Sequence, residues 1–366
     1  MYNNHLKHLV VNHNELVSSA VWKSVGIYGG TLCVIDDNDR FVGVVGGADY
    51  PQYHESIEKL KVADICNRRC KYIIDNEYSY YHGKHIFETC PQISMLPMLN
   101  DDKKISDVLF RFQAFYEDYF NHRLFPNKFD GTTIFSGNYM YYAYCLWLAA
   151  QQAKNNGYKK ISVIEFGVFT GKGLRALEWH SHAMERIFGL TIEVYGFDSG
   201  EGLPHVDDWR NGNYHFPGGI FKMGNPQLLG SRLFKAKLIL GDINETLKSF
   251  INEYNPAPIA VMLVDVDLYT STVPILELLE SADDYFLPRV FMYFDDIRWN
   301  TSLISGESLA IKEFNTKHNT MKISPESGYD SYYCAPIDFA NGGRKFHGIK
   351  TCHRFLHKNY NNPSSS

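Results

Sequence analysis

The sequence lacks the features that mark several large classes of protein. No Lys/Arg run forms a basic patch, and a formal net charge of −5 over 366 residues gives no general attraction to nucleic acid or anionic membranes. The longest helix-like apolar stretch, Tyr139 to Ala150, is too short to span a bilayer. The 15 histidines include no HExxH pattern. We therefore expect neither a nucleic-acid nor a membrane partner.

The cysteines give no framework of disulfides or zinc ligands. There are seven, an odd number scattered along the chain, and no second pair completes a zinc site with Cys66 and Cys70. The first residues, Met1 to Lys7, are not followed by the apolar segment of a signal peptide. These observations predict a reduced, cytoplasmic protein. The length predicts two or three domains.

An internal repeat occupies the first third of the chain. Leu32 to Val45 matches Leu96 to Leu109 without a gap, and each copy predicts two strands joined by an acidic or Asn-containing turn. Helical-looking segments lie between the copies, at Tyr53 to Leu60 and Gly83 to Thr89. The repeat predicts a small α+β module made of two similar halves.

Two such units, about sixty residues apart, resemble a tandem CBS-domain pair over roughly residues 8–115. The resemblance implies a module of residues 1–115 that binds an adenine nucleotide or mediates assembly into a homo-oligomer. The family usually carries a Thr and an Asp after the second strand. Here Gly46-Gly47-Ala48-Asp49 keeps the Asp alone, and the second copy keeps neither residue. Both ligand binding and a purely structural role therefore stay open for this module.

The segment that follows is rich in aromatic side chains. Residues 116–138 predict a linker, with a helix that packs onto the next domain as one interpretation and a sugar-stacking surface as the other. Residues 139–358 then predict the second domain, which begins with a helix from Asn138 to Ala153. Residues 359–366 predict a disordered, solvated tail.

From Lys160 onward, buried strands alternate with helices. This pattern predicts a doubly wound, Rossmann-like α/β sheet with right-handed crossovers. The predicted strands are Ile161–Phe166, Ile192–Phe197, Lys237–Leu240, Ile259–Val264, Val290–Phe294 and Ile349–Phe355. The predicted helices are Leu174–Phe188, Ile243–Tyr254, Thr272–Tyr285 and Ser308–His318.

The first of these strands leads into a glycine-rich turn, Glu165 to Gly173. Glycines allow a ligand to approach the backbone, and the N-terminus of the next helix adds positive potential. The spacing matches neither the phosphate loop GxxxxGK[ST] nor the dinucleotide motif GxGxxG. It is similar instead to the first motif of class I S-adenosylmethionine-dependent methyltransferases.

Acidic residues follow the next two strands. A carboxylate after the second strand, at Asp198, is placed to accept both ribose hydroxyls of a nucleoside, and Asp242 after the third would lie near the adenine. Two further strand ends carry Asp265 with Asp267, and Asp295-Asp296. Ligands of open α/β sheets bind beyond the carboxyl ends of the strands. These carboxylates could therefore hold a divalent cation against a substrate.

Three segments together resemble the metal-dependent sugar O-methyltransferases of the macrocin O-methyltransferase family, over about residues 135–320: Phe197–Pro204, Asp265–Thr272 and Asp295-Asp296. The resemblance implies that Mg²⁺ is bound by Asp265, Asp295 and Asp296. It implies catalytic roles for Asp265 and for Asp267, the latter as general base. It implies S-adenosylmethionine at Glu165, Gly167, Thr170, Gly171, Gly173, Asp198, Ser199 and Asp242. The chain departs from the family at Ser199-Gly200-Glu201, where Ser-Phe-Glu is common, so the substrate stays open.

Elementary chemistry agrees with these roles, although a structural alternative exists. Mg²⁺ prefers hard oxygen ligands, and a metal-bound hydroxyl is more readily deprotonated. If the strand continued through Asp265 and Asp267, both side chains would point to one side. Alternatively, Asp295 or Asp296 caps the following helix and Arg298 neutralises the pair without metal.

The sequence therefore predicts an enzyme, an O-methyltransferase that uses S-adenosylmethionine and Mg²⁺ to methylate a hydroxyl of a sugar-like small molecule. The long, aromatic-containing loop from His205 to Gly219 predicts a lid over that substrate, or else a surface loop packed on itself. Two rival hypotheses are a regulatory protein that only senses adenosyl ligands and a nicotinamide-dependent oxidoreductase.

Overall fold

The computed structural model describes residues 5–24, 30–46, 49–50, 58–121, 139–212, 217–297, 304–325 and 348–354. The chain divides into two compact units, Met1–Phe129 and Asp130–Ser366. Within the described ranges, every helix is too short or too polar to cross a bilayer.

The N-terminal unit contains two three-stranded sheets of identical design. In each sheet the first strand pairs parallel with the second, and the second pairs antiparallel with the third. The strands are β1 (Val10–Asn12), β2 (Leu32–Ile35), β3 (Phe41–Val45), β4 (Ile73–Ile74), β5 (Met95–Leu99) and β6 (Ile105–Phe110). The helices are α1 (Val17–Ser24), α2 (Val62–Ile65), α3 (Ser79–Thr89) and α4 (Tyr116–Asn121). This confirms the CBS-like α+β repeat.

The two hairpin turns match residue for residue. Asp36 Oδ1 accepts the N–H of the residue four positions later, Arg40, and Asn100 Oδ1 accepts that of Lys104 in the same way. Asp39 and Lys103 hold equivalent left-handed positions, with φ of 61° and 59°. A short polar side chain that caps its own turn explains why Asp and Asn exchange between the copies.

The sequence did not predict the first strand of either half of the repeat. β1 and β4 have only three and two residues, which is too few to show an alternation of apolar and polar side chains. The predicted helix from Gly83 to Thr89 forms the second half of α3. Residues 51–57 of the other predicted helix lie outside the described residues.

The C-terminal unit is built on a seven-stranded sheet. Its order is β12-β13-β11-β10-β7-β8-β9, in which β9, β8, β7, β10 and β11 are parallel and β13 runs antiparallel to both of its neighbours. The strands are β7 (Lys160–Phe166), β8 (Thr191–Asp198), β9 (Lys237–Leu240), β10 (Ile259–Val264), β11 (Phe286–Phe294), β12 (Met321–Pro325) and β13 (Gly348–Arg354). This is the doubly wound, Rossmann-like sheet of the prediction.

Helices cover the sheet, and short sequence signals fix their ends. The helices are α5 (Met140–Asn155), α6 (Lys172–Phe188), α7 (Pro226–Arg232), α8 (Ile243–Tyr254), α9 (Tyr269–Leu278) and α10 (Gly306–Lys317). α5 packs on α6, while α9 packs between α8 and α10. Asp242 caps α8 by accepting the N–H of Asn244, as expected for an Asp at this position.

The order of the strands reverses between β7 and β10. β8 and β9 extend the sheet on one side of β7, and β10 and β11 extend it on the other. All six residues of β10 are buried, because helices lie on both faces. Such a reversal point opens a crevice at the carboxyl ends of the strands.

Two element boundaries differ from the prediction. The helix predicted at Thr272–Tyr285 begins earlier, at Tyr269, and ends at Leu278. The following strand begins at Phe286 instead of Val290, because Phe286 already pairs with Ile259 of β10. Pro288 and Arg289 interrupt the apolar run that marks the rest of β11, which hid its first half.

The predicted domain boundaries stay predictions. α4 lies in the N-terminal unit, where the Phe112, Tyr116 and Phe120 rings contact one another in series. Residues 122–138 of the predicted linker and residues 355–366, which include the predicted tail, lie outside the described residues.

Candidate active site

A cavity of about 720 Å³ lies at the carboxyl ends of the parallel strands. It is lined by predicted site residues from five of those strand ends: Gly167, Asp198, Ser199, Asp242, Asp265, Asp267, Asp295 and Asp296. The other four predicted cofactor residues, Glu165, Thr170, Gly171 and Gly173, are not among its lining. The fold thus brings the acidic residues of distant segments into one cavity.

Three carboxylates form a compact group at one end of the cavity. Asp265 follows β10, while Asp295 and Asp296 follow the neighbouring β11. One oxygen from each lies within 4.8 Å of the others, so the three could hold a single metal ion. Parallel pairing of β10 and β11 is what sets these residues side by side.

The group carries strong mutual repulsion. Loss of hydration raises the pKa of Asp265 well above its ordinary value, and the charges of Asp295, Asp296 and Asp267 raise it further. Tyr293 donates its hydroxyl to Asp295 Oδ1 at 2.6 Å, which orients that carboxylate. A cation would favour the charged forms that crowding disfavours.

Asp267 lies next to this group but belongs to a separate turn. β10 ends at Val264, so Asp265 and Asp267 do not share an extended strand as the alternation argument assumed. Asp267 has a left-handed backbone with φ of 58°, and Leu268 donates its N–H to Val266 two residues back at 2.5 Å. A non-glycine residue in this region is strained, which is common where a side chain is held for function.

The glycines of the β7–α6 loop serve packing. Gly167 has φ of 86°, and a Cβ there would lie 1.8 Å from the backbone carbonyl oxygen of Asp265. A Cβ at Gly173 would lie 2.0 Å from Glu165 Oε1. Only glycine fits at Gly167, because both the conformation and the contact exclude a side chain.

Glu165 is a buried carboxyl beneath this loop. Tyr142 donates its hydroxyl to Glu165 Oε1 at 3.0 Å, whereas Glu165 Oε2 is buried with no hydrogen-bond partner among the described residues. Burial raises the pKa of Glu165 to about 8, although the Tyr142 hydrogen bond opposes that shift. A buried polar atom without a hydrogen-bond partner costs stability, and a raised pKa keeps this carboxyl neutral near pH 7.

The Asp198 carboxylate accepts most of its hydrogen bonds from backbone N–H groups. Its Oδ2 accepts the N–H groups of Val168 and Phe169, both at 2.8 Å, and its Oδ1 accepts that of Gly200 at 2.7 Å. A carboxylate has about four acceptor positions, so roughly one stays available to a ligand hydroxyl. The sequence argument had assigned it both ribose hydroxyls.

The remaining predicted residues differ in what they contact. Ser199 donates to the Gly202 carbonyl at 3.0 Å and accepts the N–H of Glu201, so it shapes its own turn. Asp242 Oδ1 accepts from the backbone and the side chain of Asn244. Thr170 is exposed on the loop before α6.

Glu307 was not predicted and lies close behind the acidic group. This first-turn residue of α10 is 1% exposed, and its Oε2 accepts the Asp296 N–H at 3.1 Å. Burial and the charges of Asp296 and Asp265 raise the pKa of Glu307 well above its ordinary value. It follows Asp296 by 11 residues and belongs to no motif, so only the tertiary structure reveals it.

The described part of the predicted lid is anchored beside Asp267. Asn211 Oδ1 accepts the N–H of Thr270 at 3.0 Å. Arg210 lies 4.4 Å over the Tyr269 ring and donates to its hydroxyl at 3.1 Å. Residues 213–216, which include Tyr214 and His215, lie outside the described residues. So does Arg298, the proposed metal-free partner of Asp295-Asp296.

The rim of the cavity carries two aromatic rings and an ion pair. Phe169 and Phe221 line the cavity and meet edge to face at 5.5 Å, each with a left-handed backbone. Glu201 also lines it and pairs with Lys222. The described lining therefore combines two apolar rings with the acidic residues at the strand ends.

Known proteins similar to this chain are found among solved structures. No protein-family model and no curated protein matches the chain. Solved structures similar to it include the calicheamicin methyltransferase CalS11, at 20% identity and a TM-score of 0.40, covering 59% of this chain and 80% of that one. The O-methyltransferase NovP is also similar, at 17% identity and a TM-score of 0.35, covering 49% of this chain and 70% of that one. The CBS domains of a transcriptional regulator from Streptococcus pneumoniae are similar at 14% identity and a TM-score of 0.25, covering 29% of this chain and 84% of that one.

Proposed function

We propose that the C-terminal unit transfers a methyl group from S-adenosylmethionine to a hydroxyl of a sugar-like small molecule, with the help of Mg²⁺. One observation carries this proposal. A single cavity is lined both by Asp198, beside the glycine-rich loop, and by the group Asp265, Asp295 and Asp296. A cavity with one end suited to a nucleoside and another suited to a cation would allow transfer of a group from a nucleoside cofactor to an acceptor hydroxyl.

The donor set fits Mg²⁺ better than a soft metal. Asp265, Asp295 and Asp296 offer carboxylate oxygens, the hard ligands that Mg²⁺ binds with waters and substrate oxygens completing its shell. No Cys or His lines the cavity among the described residues, whereas zinc and copper sites usually contain them. The three aspartates would hold the ion.

The glycine-rich loop fits S-adenosylmethionine better than a dinucleotide. No Lys, Arg or His lines the described part of the cavity, so a pyrophosphate would meet no cationic side chain there. The order 3-2-1-4-5-6 of dinucleotide-binding sheets also differs from this sheet, which inserts an antiparallel strand before its edge.

The protein's own residues would then divide the chemistry. When bound, Mg²⁺ would lower the pKa of the acceptor hydroxyl and S-adenosylmethionine would supply the methyl group. Asp267 would accept the hydroxyl proton while the C–O bond forms and the C–S bond breaks, which leaves a methyl ether and S-adenosylhomocysteine. The walls of the cavity would hold the reactants in line, and proximity of this kind supplies much of the acceleration.

The N-terminal unit gives weaker grounds for a ligand. Asp49, the residue retained from the CBS pattern, is used by its own turn, where Asp49 Oδ2 accepts the Gly46 N–H at 2.8 Å. A structural or assembly role for this unit, including formation of a homo-oligomer, is therefore as well supported as adenine-nucleotide binding. A purely sensing role for the whole protein would require no base, which leaves Asp267 without a purpose.

The test is a ligand screen followed by a transfer assay. We expect S-adenosylhomocysteine to raise the melting temperature of the intact chain, NAD to leave it unchanged, and Mg²⁺ to add to the effect of S-adenosylhomocysteine. Labelled methyl groups should then pass from S-adenosylmethionine to a glycoside only when a divalent cation is present. Stabilisation by NAD instead of S-adenosylhomocysteine would refute the proposal, and binding without any transfer would favour the sensing hypothesis.

A further inference from the structure

Asp267 lies in a turn that its own backbone does not favour. Its φ is 58°, and Leu268 donates its N–H to the carbonyl of Val266, two residues back, at 2.5 Å. A γ-turn whose central residue has a positive φ is rare and strained. Such a conformation persists only where the surrounding structure enforces it. The groups that hold this turn therefore also set the place of Asp267 at the edge of the cavity.

α9 begins directly after this turn, and its own sequence provides no cap. Leu268 precedes the first helical residue, and its side chain cannot accept a hydrogen bond. The first N–H groups of a helix have no partner within the helix, so they need acceptors from elsewhere. Asn211 supplies one, because its Oδ1 accepts the N–H of Thr270 at 3.0 Å. A residue 59 positions earlier in the chain thus does what a Ser, Thr, Asn or Asp before a helix usually does.

The residues on either side of Asn211 hold it in place. Asn211 itself is only 3% exposed. Arg210, before it, lies 4.4 Å over the ring of Tyr269, the first residue of α9. Gly212, after it, has φ of 66°, and a Cβ there would lie 2.5 Å from Ser305 Oγ. The capping side chain is therefore a fixed part of the structure and does not hang on a free loop.

The start of α10 lies against both the turn and the cap. A Cβ at Gly306 would lie 3.6 Å from the backbone oxygen of Asp267 and 3.9 Å from that of Asn211. The turn and the cap thus pack against the same helix end. Loss of the Asn211 side chain would leave the Thr270 N–H without its acceptor and would remove buried atoms beside the turn. The strained backbone of Asp267 would then relax toward a commoner conformation.

We propose that Asn211 is a positioning residue for Asp267, which acts by capping α9 and so holding the strained turn in place. This inference rests on the proposed function, in which Asp267 accepts the proton of the acceptor hydroxyl. Asn211 acts through the backbone of the turn and takes no part in proton transfer. A reacting group displaced by about 1 Å can cost about a hundredfold in rate, so a small relaxation of the turn is measurable.

The first experiment measures the turn itself and requires no activity. Amide hydrogen exchange of residues 265–272 is followed by mass spectrometry in the intact unmodified protein, Asn211→Ala and Asn225→Ala. Asn225 is a matched control, because its Oδ1 accepts the N–H of Leu228 at 2.8 Å and caps α7 in the same way. We expect exchange of residues 265–272 to become about tenfold faster in Asn211→Ala alone. Equal exchange of these residues in the two variants would overturn the proposal.

The second experiment measures methyl transfer to a glycoside that the unmodified protein methylates. In Asn211→Ala, kcat should fall by about tenfold or more, while affinities for S-adenosylhomocysteine and Mg²⁺ stay within about threefold. Asn225→Ala should keep its kcat. In the Asp267→Asn background, Asn211→Ala should lower kcat no further, because the residue that it positions is already lost. A further tenfold loss in the double variant, or equal losses in the two single variants, would contradict the proposal.

Asn211→Asp keeps the test decisive if Asn211→Ala does not fold. Asp has the same length and keeps an acceptor oxygen whether it is ionised or protonated. It should therefore keep the slow exchange of residues 265–272, and fast exchange in this variant would overturn the proposal. Failure of the proposed function looks different. An unmodified protein that transfers no methyl group to any acceptor refutes that function, while hydrogen exchange still decides whether Asn211 holds the turn.

Discussion

Asp198 and Asp265 lie at equivalent ends of two strands of the same sheet, but the groups around their carboxylates differ. Asp198 ends β8 and accepts three backbone N–H groups from its own and a neighbouring loop. Asp265 follows β10, where burial and then the charges of its acidic neighbours raise its pKa strongly. One carboxylate is already satisfied by the fold, whereas the other is not.

The difference teaches how to assign acidic residues at strand ends. A carboxylate that receives backbone N–H groups stabilises the loop that forms the site. A carboxylate surrounded by other carboxylates costs stability until a cation arrives. The same residue type at the same topological position therefore serves folding in one case and binding in the other, and substitutions should separate the two.

Asp265→Asn should give the largest effect on activity. The change removes a charged ligand from the centre of the acidic group, so turnover should fall by at least about a thousandfold and Mg²⁺ should no longer raise the melting temperature. The ligand-free protein should melt higher at pH 8, because repulsion within the group is relieved. An unchanged Mg²⁺-dependent shift in melting temperature would contradict the assignment.

Asp267→Asn should lower turnover by about a hundredfold or more, as loss of a general base does. Calorimetric titration with S-adenosylhomocysteine and Mg²⁺ should give affinities close to those of the unmodified protein. The pH profile of the residual activity should rise toward alkaline pH, because solvent hydroxide replaces the base. Normal turnover in this variant would show that another group takes the proton.

Asp198→Asn should act in the direction opposite to Asp265→Asn on the ligand-free protein. An amide has one acceptor oxygen, so its NH₂ group would face a backbone N–H, and unfolding free energy should drop by about 1–3 kcal/mol. Affinity for S-adenosylhomocysteine should fall by about tenfold as the loop loosens. Urea unfolding measures the first effect and titration the second, and a rise in stability would contradict the comparison.

Glu307→Gln should weaken Mg²⁺ binding by roughly threefold to tenfold, since a bound cation would favour the charged form of Glu307 that burial disfavours, and Gln cannot take that form. The amide oxygen can still accept the Asp296 N–H, so the fold should persist. A Mg²⁺ titration followed by melting temperature measures the change, with Glu245→Gln as the exposed control. Equal Mg²⁺ affinity in both variants would show that Glu307 acts only in packing.

Glu165→Gln should give the smallest effect and a diagnostic pH dependence. The folded protein binds a proton at Glu165 up to about pH 8, whereas the unfolded chain releases it near the ordinary value of 4.5. This group therefore makes stability fall as pH rises between those values. The variant should melt a few degrees higher than the unmodified protein at pH 8.5 and similarly at pH 4. A lower melting temperature at pH 8.5 would contradict an uncompensated buried carboxyl.

Much of the C-terminal fold was predictable because the strands of its sheet appear in the sequence as short apolar runs. β9 and β10 were predicted to the residue because both are short apolar runs, although β10 is buried throughout and only Ile239 of β9 is. α8 was predicted to the residue as well, because Asp242 marks its start. Strands β1 and β4 escaped because they are too short to show alternation. β12 was missed too, at Met321–Pro325, where the apolar signal is weak.

The residues of the candidate site were predictable only where acidic side chains directly follow a predicted strand. The aspartates at the ends of β10 and β11 could be found because consecutive acidic residues follow apolar runs. Glu307 and Asn211 could not, because each reaches the site through packing of a helix or loop with no motif. The hydrogen bonds that Asp198 accepts from Val168 and Phe169 were equally hidden, since they join residues 30 and 29 positions apart.

The close approach of Gly167 to the Asp265 carbonyl couples two loops: the glycine-rich loop after β7 and the loop after β10 that carries Asp265 and Asp267. A side chain at Gly167 would push directly on the turn that carries the metal ligand and the base. The two loops are therefore not interchangeable modules. A chimera that takes residues up to β9 from one protein and the rest from another must match at this single contact before either binding end can work.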